Sequence, residues 1–156
     1  PIDYYGLSKK VIKREIDKLQ NFYNLRIFGC FGEDEACTRF VKSAVRNVKQ
    51  AKPIKIHQNR YMDFIYIGDL CKVVEYYIEN IAKKPLAKDI NLCYNTNKSL
   101  LDVANKINEF MNKSYDNVNV ECFGHNTEYT GCGDKLARLN MKLLGLDEGL
   151  KRCIDV

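Results

Sequence analysis

Helical and strand patterns alternate along almost the whole chain, and this alternation constrains the fold more than any other feature. Apolar residues Ile12, Ile16, Leu19 and Tyr23 recur at helical spacing, so residues 6 to about 22 read as a helix. Asn24 to Gly32 then reads as one strand closed by glycine. A second helix is predicted from about Glu35 to Gln50. Short strands follow at Ile54–His57 and Tyr61–Ile67, the latter rich in aromatic and β-branched side chains. Asp69 looks like the cap of a third helix reaching about Asn80. A strand over Asp89–Tyr94 leads to Ser99 and Asp102, spaced as a capping box ahead of apolar Leu100, Val103, Ala104, Ile107 and Met111. Asn117–Phe123 is a further strand, 124–133 a loop, Asp134–Leu144 a helix broken by Gly145, and a shorter helix is expected from Asp147. Such an order predicts an α/β fold with at least partly parallel strands. Phe28, Phe64, Tyr66 and Leu92 are its expected core.

An absence limits the function. No G-x-G-x-x-G or G-x-x-G-x-x-G follows any strand, so a dinucleotide-binding half is not expected within these residues. No apolar run approaches the ~18 residues of a membrane span, and no secretory leader is visible. A cytoplasmic location is expected. The seven cysteines form no C-x-x-C pair and read as buried free thiols, with no metal site. The net charge of +5 permits phosphorylated ligands without requiring them. Arg39, Lys42, Arg46 and Lys49 fall on one helical stripe, but no aromatic residues interleave with it. Nucleic acid is therefore not the expected partner, although a non-catalytic nucleotide-sugar or nucleic-acid binding module using that basic face is the rival to an enzyme.

The candidate chemistry lies at the beginning, in Asp3-Tyr4-Tyr5-Gly6-Leu7-Ser8-Lys9-Lys10. Tyr5 and Lys9 stand four apart at a helix start and so share a face. A second Y-x-x-x-K, Tyr94 to Lys98, follows a strand where no helix joins its ends. A phenol is a poor base at neutral pH. An ammonium about 4 Å away, at an effective dielectric near 20, favours a phenolate by roughly 4 kcal/mol. Such a tyrosine can exchange a proton with a sugar hydroxyl while hydride moves to a nicotinamide. The same spacing also serves an ordinary helix start with one packed tyrosine and one solvated lysine.

Tyr5-Gly6-Leu7-Ser8-Lys9 resembles the Y-G-x-S-K of the extended short-chain dehydrogenase/reductase family, which includes NAD-dependent nucleotide-sugar epimerases and dehydratases. Further segments match the family in order. Leu25-Arg26-Ile27-Phe28-Gly29-Cys30-Phe31-Gly32 is similar to its L-R-x-F-N-V-Y-G strand. Arg60 to Leu70 is similar to its R-D-F-I-Y-V-D-D-L segment. Asn91–Asn95, Ser99–Ala104 and Asp134–Leu146 are similar to its late strand, next helix and closing helix. The chain departs from the family at Gly29, where an asparagine that often contacts the sugar nucleotide is usual. It departs again at Met62, where an arginine often meets the diphosphate. Arg60, two residues earlier, is the candidate substitute.

The resemblance implies the C-terminal part of a Rossmann-type sheet plus a small α/β nucleotide-sugar-binding domain, forming one unit over residues 1–156. The chain opens on Pro1 rather than methionine, so its start is expected to be a cut edge, with the dinucleotide-binding half absent. In the intact protein Tyr5 would shuttle the proton and Lys9 would also hold the ribose of NAD or NADP. Gly29, Arg60, His125 and Tyr129 are the expected substrate-binding residues for a nucleoside-diphosphate sugar. His57 is expected to have a partly buried structural role, and a homodimer is expected for the intact protein. The reaction would be an epimerisation, dehydration or 4-keto reduction, catalysed by an isomerase, lyase or oxidoreductase, and the 156 residues alone would be inactive.

Overall fold

A computed structural model describes residues 3–122 and 128–156. Helix α1 (Tyr4–Ile16) begins where the Asp3 carboxylate accepts the Gly6 amide at 2.5 Å. It ends earlier than its apolar spacing suggests. Beyond Ile16 the chain tightens into turns, Lys18 N–H donating to Glu15 and Leu19 N–H to Ile16. Leu19 and Phe22 remain exposed, so no packing extends the helix to them.

The strand expected over residues 24–32 divides at Phe28. Strand β1 (Asn24–Ile27) pairs in parallel with β5 (Asp89–Leu92), whereas β2 (Gly29–Phe31) pairs in parallel with β4 (Phe64–Tyr66). The segment thus changes neighbours at one residue. Strand β3 (Ile54–Gln58) and β6 (Val118–Cys122) form a third parallel pair. Of the strand expected at Tyr61–Ile67, only β4 is continuous. Tyr61 makes an isolated antiparallel bridge to Ser99, and Met62 a parallel one to Tyr129. Parallel pairs of this kind need long crossovers, which the helices between them supply. The α/β architecture with parallel strands is the one the alternating pattern predicts.

Helix α2 (Phe40–Lys49) begins five residues after the expected Glu35. Residues 33–39 fold as turns instead, and the Glu35 side chain reaches forward to accept the Lys42 amide at 2.8 Å. That carboxylate satisfies one of the orphan N–H groups at the helix start. The predicted basic stripe is interrupted. Arg39 precedes the helix, and the Lys42 amine donates to the Glu33 carbonyl, which leaves Arg46 and Lys49 as its exposed part.

Helix α3 (Ile67–Asn80) starts two residues before Asp69, the expected cap. Asp69 is instead fully buried. Its carboxylate accepts the Leu144 and Gly145 amides, both at 2.9 Å, and the Tyr94 hydroxyl at 2.7 Å. This grip decides where the last helix begins. The expected helix over 134–144 shrinks to α5 (Asp134–Ala137), and α6 (Gly145–Asp155) starts at the glycine read as its breaker. Gly145 has φ +82°, a conformation suited to a residue without Cβ. Helix α4 (Leu100–Phe110) carries the predicted capping box: the Asp102 amide donates to Ser99 Oγ at 3.2 Å, and the Ser99 amide to the Asp102 carboxylate at 2.8 Å.

One core cluster joins β2, β3 and β4 to α2, α4 and α6 through Phe31, Val45, Phe64, Val103, Ile107 and Leu150. A second, with Ile65, Val73, Ile90 and Leu92, lies between β4, β5 and α3. Phe64, Tyr66 and Leu92 are buried as predicted. Phe28 is not; it sits at the break between β1 and β2, half-buried, with its ring edge-on to Tyr129 at 5.3 Å. The cysteines are free thiols, but only Cys93 and Cys153 are buried. Burial pushes both of these thiols up to about 12. Cys37, Cys71, Cys122 and Cys132 are exposed, contrary to expectation, because they lie in turns, on outward-facing positions of α3 and β6, and in the segment before α5. No described helix is long and apolar enough to cross a membrane.

Candidate active site

Helix α1 projects Tyr5 and Lys9 onto one face, as their spacing requires. The Lys9 amine lies 5.3 Å from the centroid of the Tyr5 ring, over its face rather than at its hydroxyl. Tyr5 is 71% exposed, so its hydroxyl is open to a ligand. The pair borders a cleft of about 700 Å³ between α1 and β1, also lined by Lys13, Arg26, Ile27 and Tyr129. Two cations of this cleft are already engaged. Arg26 holds Asp89 at 2.5 Å and Asn91 at 2.8 Å across the β1–β5 pair, and Lys13 holds Asp17 at 2.6 Å. Lys9 and Lys10 have no ion pair among the described residues.

Tyr129 stands between this cleft and a second one, of about 450 Å³. Its backbone is held at both ends: its N–H donates to Tyr61 and its carbonyl accepts from Asp63, each at 3.0 Å. Phe28, Cys30, Glu35, Arg39, Arg60 and Met62 surround Tyr129 in the second cleft. Arg60 and Met62 therefore do share a face, as their two-residue spacing predicts. Thr38, Phe40, Arg60 and Leu100 continue into a third cleft of about 510 Å³ that reaches Ser43, Asn47 and His57. The three hollows thus form a series running from Tyr5 past Tyr129 and Arg60 toward β3. Its chemistry changes along the way, from a phenol and free amines, through aromatic walls with two guanidinium groups, to small polar side chains.

Gly29 is buried in β2 between two residues of the second cleft, Phe28 and Cys30. A Cβ there would stand 2.8 Å from Met62 Cε, the flexible end of that side chain, and 3.1 Å from the Asp63 carbonyl oxygen, so the segment just before β4 would have to shift slightly to admit a side chain. Gly29 and Met62, the two positions at which the sequence departs from the pattern it resembles, consequently lie against each other. His125 lies outside the described residues. His57, expected to be partly buried, is instead exposed near the end of β3, because strand alternation turns Ile56 inward and His57 outward, and it pairs with Glu121 at 2.6 Å.

Two site features were not legible from spacing. Asp63, 2% exposed, accepts the Gly131 amide at 2.7 Å and so holds the segment that carries Tyr129. Burial, and then the adjacent Asp63 charge, hold the Cys93 thiol high, and its Sγ donates to the Gly131 carbonyl at 3.4 Å. Glu35 enters the second cleft only because residues 33–39 turn instead of extending α2. Its carboxyl is raised above the usual carboxylate range chiefly by burial, opposed by the Lys42 amide and by the Arg39 and Lys42 charges. Among the described residues no cluster of three His, Cys, Asp or Glu side chains has the geometry to hold a metal.

The sequence model of the NAD dependent epimerase/dehydratase family matches residues 1–93, more than half of the chain. The chain belongs to that family. Its fold is that of several solved enzymes. It is similar to the Bacillus cereus UDP-glucuronic acid 4-epimerase, solved with UDP-glucuronic acid and NAD, at 20% identity and TM-score 0.77 over 99% of this chain and 52% of that one. The Bordetella bronchiseptica enzyme WbmG, solved with NAD and UDP, matches at 12% identity and TM-score 0.73, over 99% and 49% of the two chains. TunA, an NAD-dependent NDP-hexosamine 5,6-dehydratase of tunicamycin biosynthesis, matches at 17% identity and TM-score 0.72, over 99% and 54%. The chain spans about half the length of these structures. A search of curated protein sequences finds no match.

Proposed function

We propose that this chain carries the catalytic helix and the nucleotide-sugar cleft of an NAD- or NADP-dependent nucleotide-sugar epimerase, dehydratase or 4-keto reductase, and that residues outside it bind most of the dinucleotide. One observation carries the reading: Tyr5 and Lys9 share a face of α1 and look into a cleft that adjoins, past Tyr129, the cleft lined by Arg39 and Arg60. The apolar residues of α1 support the division of labour. Leu7, Val11 and Ile12 are each at least half exposed, a surface that a further part of such an enzyme would cover.

The residues present fit only one end of a dinucleotide. The Tyr5 hydroxyl and Lys9 amine are exposed donors suited to a ribose, whereas no glycine-rich loop offers amides to a pyrophosphate. A bound nicotinamide supplies the hydride acceptor. The rest of the chemistry in this chain is proton transfer and placement. Tyr5 Oη takes the proton of a hexose hydroxyl as that carbon is oxidised and returns it on reduction. Lys9 keeps a positive charge over the ring, which favours the moment when the phenol oxygen is negative. Phe28 and Tyr129 wall the passage between the first two clefts, and Arg39 and Arg60 face the path of the diphosphate.

Tyr5→Phe in the protein that includes the dinucleotide-binding part tests this. Turnover is expected to fall about 10²–10⁴-fold, the scale of a lost general acid–base, with the melting temperature unchanged. Near-normal turnover would remove Tyr5 from the mechanism.

A further inference from the structure

Asp63, the residue before β4, joins three segments. Its carbonyl accepts the Gly29 amide and its own amide donates to the Tyr129 carbonyl, each at 3.0 Å. Its carboxylate, buried and without an ion pair among the described residues, accepts the Gly131 amide at 2.7 Å. Burying a carboxylate without a cation costs stability, and proteins keep such costs chiefly at functional sites. Gly131 lies directly against Phe28, since a Cβ at this glycine would collide with the far end of that ring. The Phe28 ring is thus bounded by Gly131 on one side and by Tyr129, edge-on at 5.3 Å, on another. These two rings wall the passage between the first and second clefts, and the backbone around each is tied to Asp63.

We propose that Asp63 is a positioning residue for the ligand: by holding Gly131 against Phe28, beside Tyr129, it sets the aromatic passage through which a hexose reaches Tyr5. The inference rests on the nucleotide-sugar reading above and deepens it. On that reading the diphosphate lies by Arg39 and Arg60 in the second cleft and the hexose lies at Tyr5 in the first, so the ligand crosses from one to the other at Tyr129. A misplacement of about 1 Å in a group that orients a substrate can cost on the order of 10²-fold. A nucleoside diphosphate without its sugar stops short of the passage and does not depend on it.

Calorimetric titration of the protein that includes the dinucleotide-binding part tests this, with UDP-glucose and dTDP-glucose on one side and UDP and dTDP alone on the other. Asp63→Ala is expected to weaken binding of the sugar-bearing ligand by at least about tenfold and of the free nucleotide by less than about twofold. Asp63→Asn, whose amide oxygen still accepts the Gly131 N–H, should recover all but about threefold of that loss. A purely structural role would lower the melting temperature and weaken both ligands alike. Equal losses therefore overturn the inference, as do unchanged sugar binding in Asp63→Ala and a failure of Asp63→Asn to recover any of the loss. Gly131→Ala reaches the same ring without touching Asp63, and keeps the test decisive should Asp63→Ala fail to fold. Its added Cβ should produce the same selective loss, and sugar binding at the native level in that variant overturns the inference too. If the native protein binds neither sugar nucleotide, the nucleotide-sugar reading itself falls, and the inference with it.

Discussion

Helices α1 and α4 announce themselves in the sequence by the same signal, apolar residues at helical spacing behind a short polar cap, yet they end in opposite environments. In α4, Leu100, Val103, Ala104 and Ile107 are buried against α2, α6, β3 and β6. In α1, no residue is buried at all. Periodicity states which face of a helix favours burial; it does not state what lies across from that face. The difference matters for the proposed function. The closed side, built around α4, α2 and α6, supplies rigidity, whereas the open side displays Tyr5 and Lys9 at a cleft.

Perturbing each side in turn sharpens the contrast. The largest effect on stability belongs to the closed side. Phe64→Ala removes a ring that is 6% exposed and packed edge-on to Phe31 at 6.1 Å. It is expected to lower unfolding free energy by about 3–5 kcal/mol in denaturant titration. An unchanged transition would show that this core is far looser than its packing. Ser99→Ala deletes half of the α4 capping box and should cost about 1 kcal/mol in the same measurement. A loss below a few tenths would mean that the Asp102 side chain alone suffices as cap. The smallest effect is expected on the open side. Val11→Ser, at a site 53% exposed, should shift the stability of this chain by no more than about 0.5 kcal/mol. A loss comparable to Phe64→Ala would mean that α1 is packed in solution, by a second copy for instance, and sedimentation would then reveal the association.

Glu35 adds a pH-dependent term on the closed side. Its carboxyl is raised in the folded state, so the fold binds that proton more tightly than the unfolded chain does. Its contribution therefore favours folding below the unfolded carboxyl range and weakens as pH rises through the raised folded value. The direction is opposite to that of an ion-paired carboxylate.

Much of this molecule could be read before any coordinates. Ser99 and Asp102 form the predicted box because both partners lie within one helical turn. The β4 residues Phe64 and Tyr66 are buried because an uninterrupted apolar run marks a strand covered on both faces. The residues that resisted reading are those whose partners are remote in sequence. Asp69 has the look of a cap, yet its carboxylate binds amides 75 and 76 residues away. Glu35 reads as the beginning of a helix, and turns into a cleft. Phe28 reads as core because it sits in an apolar strand, and becomes a cleft wall because that strand changes partners beneath it.

By itself the sequence determined what depends on neighbours in the chain: helical and strand periods, the cap at Ser99, and the shared face of Tyr5 and Lys9, since 3.6 residues per turn leave positions i and i+4 no other arrangement. Only the tertiary structure decided where the strand divides, where α6 begins and which carboxylate enters the cleft. Each of those outcomes turns on a hydrogen bond or strand pairing between distant segments. Local preferences of a few tenths of a kcal/mol per residue yield to such contacts, because a buried polar group left without its partner costs about 1–3 kcal/mol.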